Sequence, residues 1–255
     1  MRAIALTWQA AWLEALANRR SFWSQLGFMA ANDVVWVVFW QLFFRRVGTV
    51  RGWDADQVMV LLAILTTSVG WVLGAMANAR HIGHMAASGQ LDAALSLPLP
   101  TLPYLLVRRV DAANVGDVVF GLTLFVWLGA PTPQRFVVFV LGVGCASAVF
   151  LGFLVLLGSI AFYLGPNPAS DLGLNALVLF SSYPVDIFNG ITKVLLYGVI
   201  PAGFMTALPT SLVEHFDPTR AAALVAAGVG IATAGWFSFN AGLRRYTSGA
   251  LWTQA

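Results

Sequence analysis

The chain has 255 residues, 59% of them hydrophobic and only 10% charged, with a mean hydropathy of +0.78. That balance lies outside the range of soluble globular domains, so water is not its main solvent and no room remains for a separate soluble enzymatic domain. The net charge of +3 and pI near 9.4 come from arginines at the ends of apolar runs, which suits anchoring at lipid headgroups rather than nucleic-acid binding. The single Cys145 lies in an apolar run, so neither an intrachain disulfide framework nor a Cys-ligated metal site can be built.

The first twenty residues lack the charged head, apolar run and small-residue cleavage site of a signal peptide, and the N-terminus is expected to be retained. Ile4, Trp8, Trp12 and Leu16 recur every four residues and are followed by Arg19 and Arg20. Residues 1–20 therefore read as an amphipathic helix, either lying at the membrane interface or packed on its own protein.

A spanning helix needs about 20 apolar residues to cross about 30 Å of hydrocarbon. Seven runs approach that length: 26–44, 58–77, 105–130, 136–163, 172–191, 194–213 and 221–243. They are continuous rather than alternating, so the backbone must satisfy its hydrogen bonds as helices, and the fold class is an all-α integral membrane protein. Pro201 and Pro209 interrupt the sixth run and Tyr183-Pro184 lies just upstream. Residues 189–213 are therefore expected to form a re-entrant or bent pair, leaving six full spans in a single membrane domain over 1–255, with both termini on one side.

With the N-terminus inside, Arg2, Arg19, Arg20, Arg80, Arg108, Arg109, Arg244 and Arg245 are cytoplasmic, a larger set than Arg45, Arg46, Arg51, Arg135, Lys193 and Arg220 outside. The longest polar connection, residues 79–104, then projects into the cytoplasm. Ser88-Gly89 breaks it, Leu91 to Leu97 can form a short turn, and Pro98, Pro100 and Pro103 are expected to end regular structure, giving a rigid elbow suited to binding a partner.

No G-x-x-x-x-G-K-[ST] occurs, so the chain holds no Walker A loop and any ATP is hydrolysed elsewhere. His81 and His84 stand i, i+3 with no third ligand nearby, and no G-x-S-x-G accompanies His215, so neither a metal site nor a serine hydrolase is indicated. Charges inside apolar runs say more, because each is expensive at membrane depth. Asn32-Asp33 lies in the first run and Asn114 with Asp117 in the third. Counted from Leu105, Asp117 is about 18 Å along its helix, near mid-membrane, and Arg108 with Asp111 are spaced to pair at the interface. These polar residues either line a substrate path or set helix packing through interhelical hydrogen bonds. The GxxxG of Gly70 and Gly74, together with Gly152 and Gly158, permits close helix contacts within or between chains.

Across nearly its full length the chain resembles the type 2 family of ABC-transporter permeases, in its short-chain branch of about 260 residues. The residues that carry the likeness are Ser88-Gly89-Gln90-Leu91-Asp92 leading to Leu97-Pro98-Leu99-Pro100, Tyr183-Pro184 with Ile187-Phe188, Ile200-Pro201 with Leu208-Pro209, and the terminal Gly242-Leu243-Arg244-Arg245-Tyr246-Thr247-Ser248. The resemblance implies a six-helix permease half, usually of an exporter in a bacterial-type inner membrane. It would pair with an identical or related second permease and be powered by separate ABC ATPase subunits that hold ATP and Mg, with no cofactor in this chain. It further implies that the loop after the second span contacts the ATPase, through Arg80, His84, Gln90 and Asp92 with Leu91 and Leu97 as apolar anchors. Asn32, Asp33, Asn114 and Asp117 would contact a polar part of amphipathic or lipid-like cargo. The competing reading is an ion- or proton-coupled secondary transporter using Asp33 or Asp117; no internal repeat supports it. A membrane-embedded enzyme lacks a convergent catalytic set, and a purely structural subunit leaves the elbow unexplained.

Overall fold

The computed structural model describes residues 2–17, 19–129 and 131–246; Asn18, Ala130 and the terminal Thr247 and Ser248 lie outside them. The described helices are α1 (Arg2–Ala17), α2 (Arg19–Val47), α3 (Ala55–Ala75), α4 (Ile82–Ala87), α5 (Asp92–Leu95), α6 (Thr101–Val107), α7 (Ala112–Leu128), α8 (Pro133–Ser159), α9 (Ala161–Leu164), α10 (Ala169–Ser181), α11 (Ile191–Gly198), α12 (Leu208–Glu214) and α13 (Pro218–Leu243). Among the described residues there is no strand, only an isolated bridge between Val50 and Trp53.

Among the described residues four helical stretches are long and apolar enough to cross a membrane unaided: α2, α3, α8 running on into α9, and α13. Helix α3 is the centre of the bundle, with 83% of its most apolar window buried against 11% for α2. Its start is fixed by a capping box, in which Asp54 accepts from the Gln57 amide (2.9 Å) and the Gln57 side chain accepts from the Asp54 amide (3.2 Å). Thr132 caps α8 and Asp217 caps α13, each followed by proline at a position where the missing N–H is not needed.

Two runs that read as straight spans are broken. The third bends by 81° between α6 and α7, because Asp111 accepts from the Ala113 amide (3.1 Å) and starts a new helix there. Pro103 does not end regular structure but lies in the first turn of α6, where it is tolerated. The fifth run forms only the 13-residue α10, about 20 Å long, which stops short of Tyr183-Pro184. Its end docks on α2 through Tyr183, whose ring meets Trp36 and Trp40 at 6.4 and 5.6 Å.

Arg51, in the α2–α3 loop, donates to Asn189 Oδ1 (2.6 Å) before α11, and Arg135, at the start of α8, pairs with Glu214 (2.7 Å) at the end of α12. Residues 189–213 thus begin and end at one end of the bundle, with a 74° bend between them. The opposite end carries the elbow, with α1 held by Trp8 Nε1 donating to the Ala75 carbonyl (3.0 Å). Tyr246 also lies there, its hydroxyl 2.9 Å from Asp92 Oδ1. Both ends of the described chain therefore lie at the elbow end. Trp8 packs inward while Leu6, Leu13 and Leu16 of α1 stay exposed, so the helix rests on its own protein and still offers an apolar face outward; Leu16 leaves the inward face assigned to it.

Candidate functional site

Asp33 and Asp117, on different helices, face the same cavity of about 130 Å³ between α2, α3, α7 and the end of α10. They are 7% and 3% exposed, and both line its wall. Among the described residues neither Asp33 Oδ2 nor Asp117 Oδ1 has a hydrogen-bond partner. Asn32 lines the same cavity, as do Thr66 and Ser182, while the remaining wall is apolar, with Leu62, Leu65, Val69 and Phe120. Among the described residues no Lys, Arg or His lines it. Asp117 sits about 8 Å along α7 from Ala112, toward the elbow end rather than 18 Å along an unbroken helix, because the 81° break resets the start of the span.

Close backbone approach makes this meeting of helices possible. A Cβ built on Gly70 would lie 2.7 Å from the Asn114 carbonyl oxygen and from Asp117 Cβ, and 2.8 Å from the Val118 amide nitrogen. Gly70 and Gly74 therefore seat α7 on α3 within this chain. Asn114 is buried at that contact and does not line the cavity, so the structure brings together Asn32, Asp33 and Asp117 and leaves Asn114 to packing. Sequence reasoning missed Thr66, Ser182 and Trp36 as cavity residues; the aromatic and hydroxyl positions carry no sequence signal that separates lining from packing.

At the elbow, residues 77–81 wind as a tight 3₁₀ turn before α4, and Gly89, at φ +77, supplies the reversal that leads to α5. Arg80 pairs with Asp111 (3.6 Å) instead of Asp111 pairing with Arg108, and its Nε donates to His81 Nε2 (3.1 Å). Burial, with the Arg80 and Arg109 charges adding to it, holds the His81 imidazole below its ordinary value and thus neutral and able to accept. His84, Gln90 and Asp92 are exposed, and Leu97 keeps 38% of its surface open, as does Leu95 with 41%. Leu91 is wholly buried, anchoring the elbow to its own chain, so it presents nothing outward.

The far end is closed by a second polar cluster. Lys193 Nζ and Trp53 Nε1 donate to the two oxygens of Asp186 (2.5 and 3.2 Å), and Arg135 grips both oxygens of Glu214 (2.7 and 3.2 Å). These bonds fasten both ends of the bent segment to the neighbouring loop and helix. Among the described residues no group of three or more His, Cys, Asp or Glu could hold a metal ion.

A family model described as "ABC-2 family transporter protein" matches residues 30–250. No curated protein and no solved structure matches the chain.

Proposed function

The chain belongs to the ABC-2 family of transporter proteins and is a multi-pass membrane permease of an ABC transporter; from that premise we propose that it is one half of an exporter whose path it forms with a second permease, identical or related. ABC ATPase subunits dock on the elbow end, which with both termini faces the cytoplasm of a cell-membrane location, and ATP and Mg are held in those subunits rather than in this chain. The partner-facing surface is Leu95, Leu97, His84, Gln90 and Asp92; Arg80, tied to Asp111, transmits rather than docks. The exposed apolar faces of α2, with Phe28 and Val35, meet lipid or the second permease.

The observation that carries the coupling is the Arg80–Asp111 pair. Asp111 caps α7, and Asp117 lies about 9 Å further along the same helix, in the wall of the cavity. A partner that shifts the elbow shifts the start of α7 and with it one of the two carboxyls. Cargo that contacts Asn32, Asp33 and Asp117 in one state and loses them in the other supplies the differential affinity that transport requires.

The test is purification of the chain with the products of its neighbouring genes in mild detergent. An ATPase subunit that comes along, and that is lost or uncoupled in Leu95→Glu/Leu97→Glu, supports the reading. No ATPase partner, together with nucleotide-independent transport abolished by Asp117→Asn, would shift the assignment to an ion- or proton-coupled secondary transporter, which the paired carboxyls also suit.

A further inference from the structure

Two carboxyl oxygens with no partner, at the wall of an otherwise apolar cavity, define what that cavity can hold. Asp33 and Asp117 are more than nine-tenths buried, each leaves one oxygen unbonded, and no cationic side chain reaches the cavity. A buried polar atom left unpaired is costly, more so for a charged group, so the site is incomplete without a donor. An anion is repelled by the charge that the pair carries. A neutral alcohol brings one O–H and satisfies one carboxyl group at most. An ammonium brings three N–H donors and a positive charge, and so can bond to both carboxyl groups together.

Size limits the rest of the ligand. An apolar cavity of about 150 Å³ takes one benzene ring, so about 130 Å³ walled by Leu62, Leu65, Val69 and Phe120 takes the nitrogen with a short alkyl group beside it. We propose that this cavity is a recognition site for the primary-ammonium end of an amphipathic cation, with Asp33 and Asp117 as the paired acceptors and the apolar wall taking the adjoining carbon skeleton. This rests on the permease reading for its place on the transport path, but the binding chemistry follows from the cavity itself.

The test uses the complex in lipid nanodiscs and radiolabelled butylamine as probe, with binding to empty nanodiscs subtracted. Saturable butylamine binding at least tenfold tighter than that of butanol is expected, with butyrate not competing. Asp33→Asn/Asp117→Asn should weaken butylamine at least tenfold while changing butanol less than threefold, and the retained alcohol binding shows that the cavity still forms. The proposal is overturned if alcohol and amine compete equally on the wild-type protein, if no saturable amine binding is found, or if the doubly substituted protein keeps it. An ATPase that fails to co-purify overturns the permease coupling alone and leaves the amine result standing; an ATPase that co-purifies with a cavity indifferent to charge overturns the amine site alone.

Discussion

Replacing Gly70 by alanine adds one methyl group at the tightest contact between α3 and α7. That methyl would stand 2.7 Å from Asn114 O and Asp117 Cβ and 2.8 Å from Val118 N, against at least 3.4 Å for ordinary contact. None of these atoms can rotate away, since two are backbone and the third is a Cβ, so α7 itself must move. Overpacking of this kind costs about 1–3 kcal/mol, while alanine returns up to about 1 kcal/mol of helix propensity. The net expectation is a loss of about 1–2 kcal/mol, or a thermal midpoint lower by roughly 2–8 °C for a chain of this size. Gly230→Ala on α13 is the control, because nothing lies within 4 Å of its Cβ. It should leave stability unchanged or raise it. Thermal unfolding in nanodiscs, followed by circular dichroism, measures both. A Gly70→Ala protein as stable as Gly230→Ala would refute the close α3–α7 approach and with it the placement of Asp117 beside Asp33.

At the far end, Arg135 and Glu214 are only 25% and 18% exposed and share two hydrogen bonds, so a double-mutant cycle with Arg135→Met and Glu214→Gln should give a coupling of about 1–3 kcal/mol; a coupling near zero would remove that pair as a clamp on the bent segment. Arg51 holds φ +50, a left-handed conformation that strains any side chain, yet its guanidinium reaches Asn189, so Arg51→Ala should destabilise by about 1 kcal/mol more than Arg51→Gly, read as the difference in thermal midpoint. His81 is neutral in the folded protein and its native pKa lies below 6.5, so the stability it confers is complete above about pH 6.5 and is lost as the pH falls through that native value. His81→Gln should flatten this part of the midpoint-against-pH curve, and an unchanged slope would refute the buried, accepting imidazole.

Much of the fold is legible because the bilayer leaves the backbone so few choices. A continuous apolar run of sufficient length must be helical, and the prolines at 184, 201 and 209 announce that the fifth and sixth runs cannot both be straight spans. What the runs conceal is where a helix restarts. Hydropathy continues from Leu105 to Leu128, so the break shows only in Asp111, whose side chain caps the Ala113 amide. An acidic residue just ahead of Ala-Ala is a capping signal, but with Arg108 three residues before it the same residue also suits an ion pair, and only the structure decides that Arg80 takes the pair and Arg108 does not. The elbow sets a similar limit. In a four-residue helix such as α5 the phase cannot be read from periodicity, so Leu91, wholly buried, and Leu95, 41% exposed, are indistinguishable as text.

The carboxyl pair is the extreme case, because its two halves lie on helices far apart in sequence. Cost at membrane depth says that Asp33 and Asp117 must each face protein or water, and nothing in either run says that they face one another. The link is Gly70. A residue with any side chain there would hold α7 away from α3, and with α7 displaced Asp117 would no longer reach the cavity wall that Asp33 shares. A GxxxG read as a generic packing signal is therefore, in this chain, also a condition of the site. For that reason the loss of stability in Gly70→Ala should be accompanied by loss of amine binding, whereas a substitution that weakens the bundle elsewhere, such as Arg135→Met, should lower stability and leave the amine affinity unchanged.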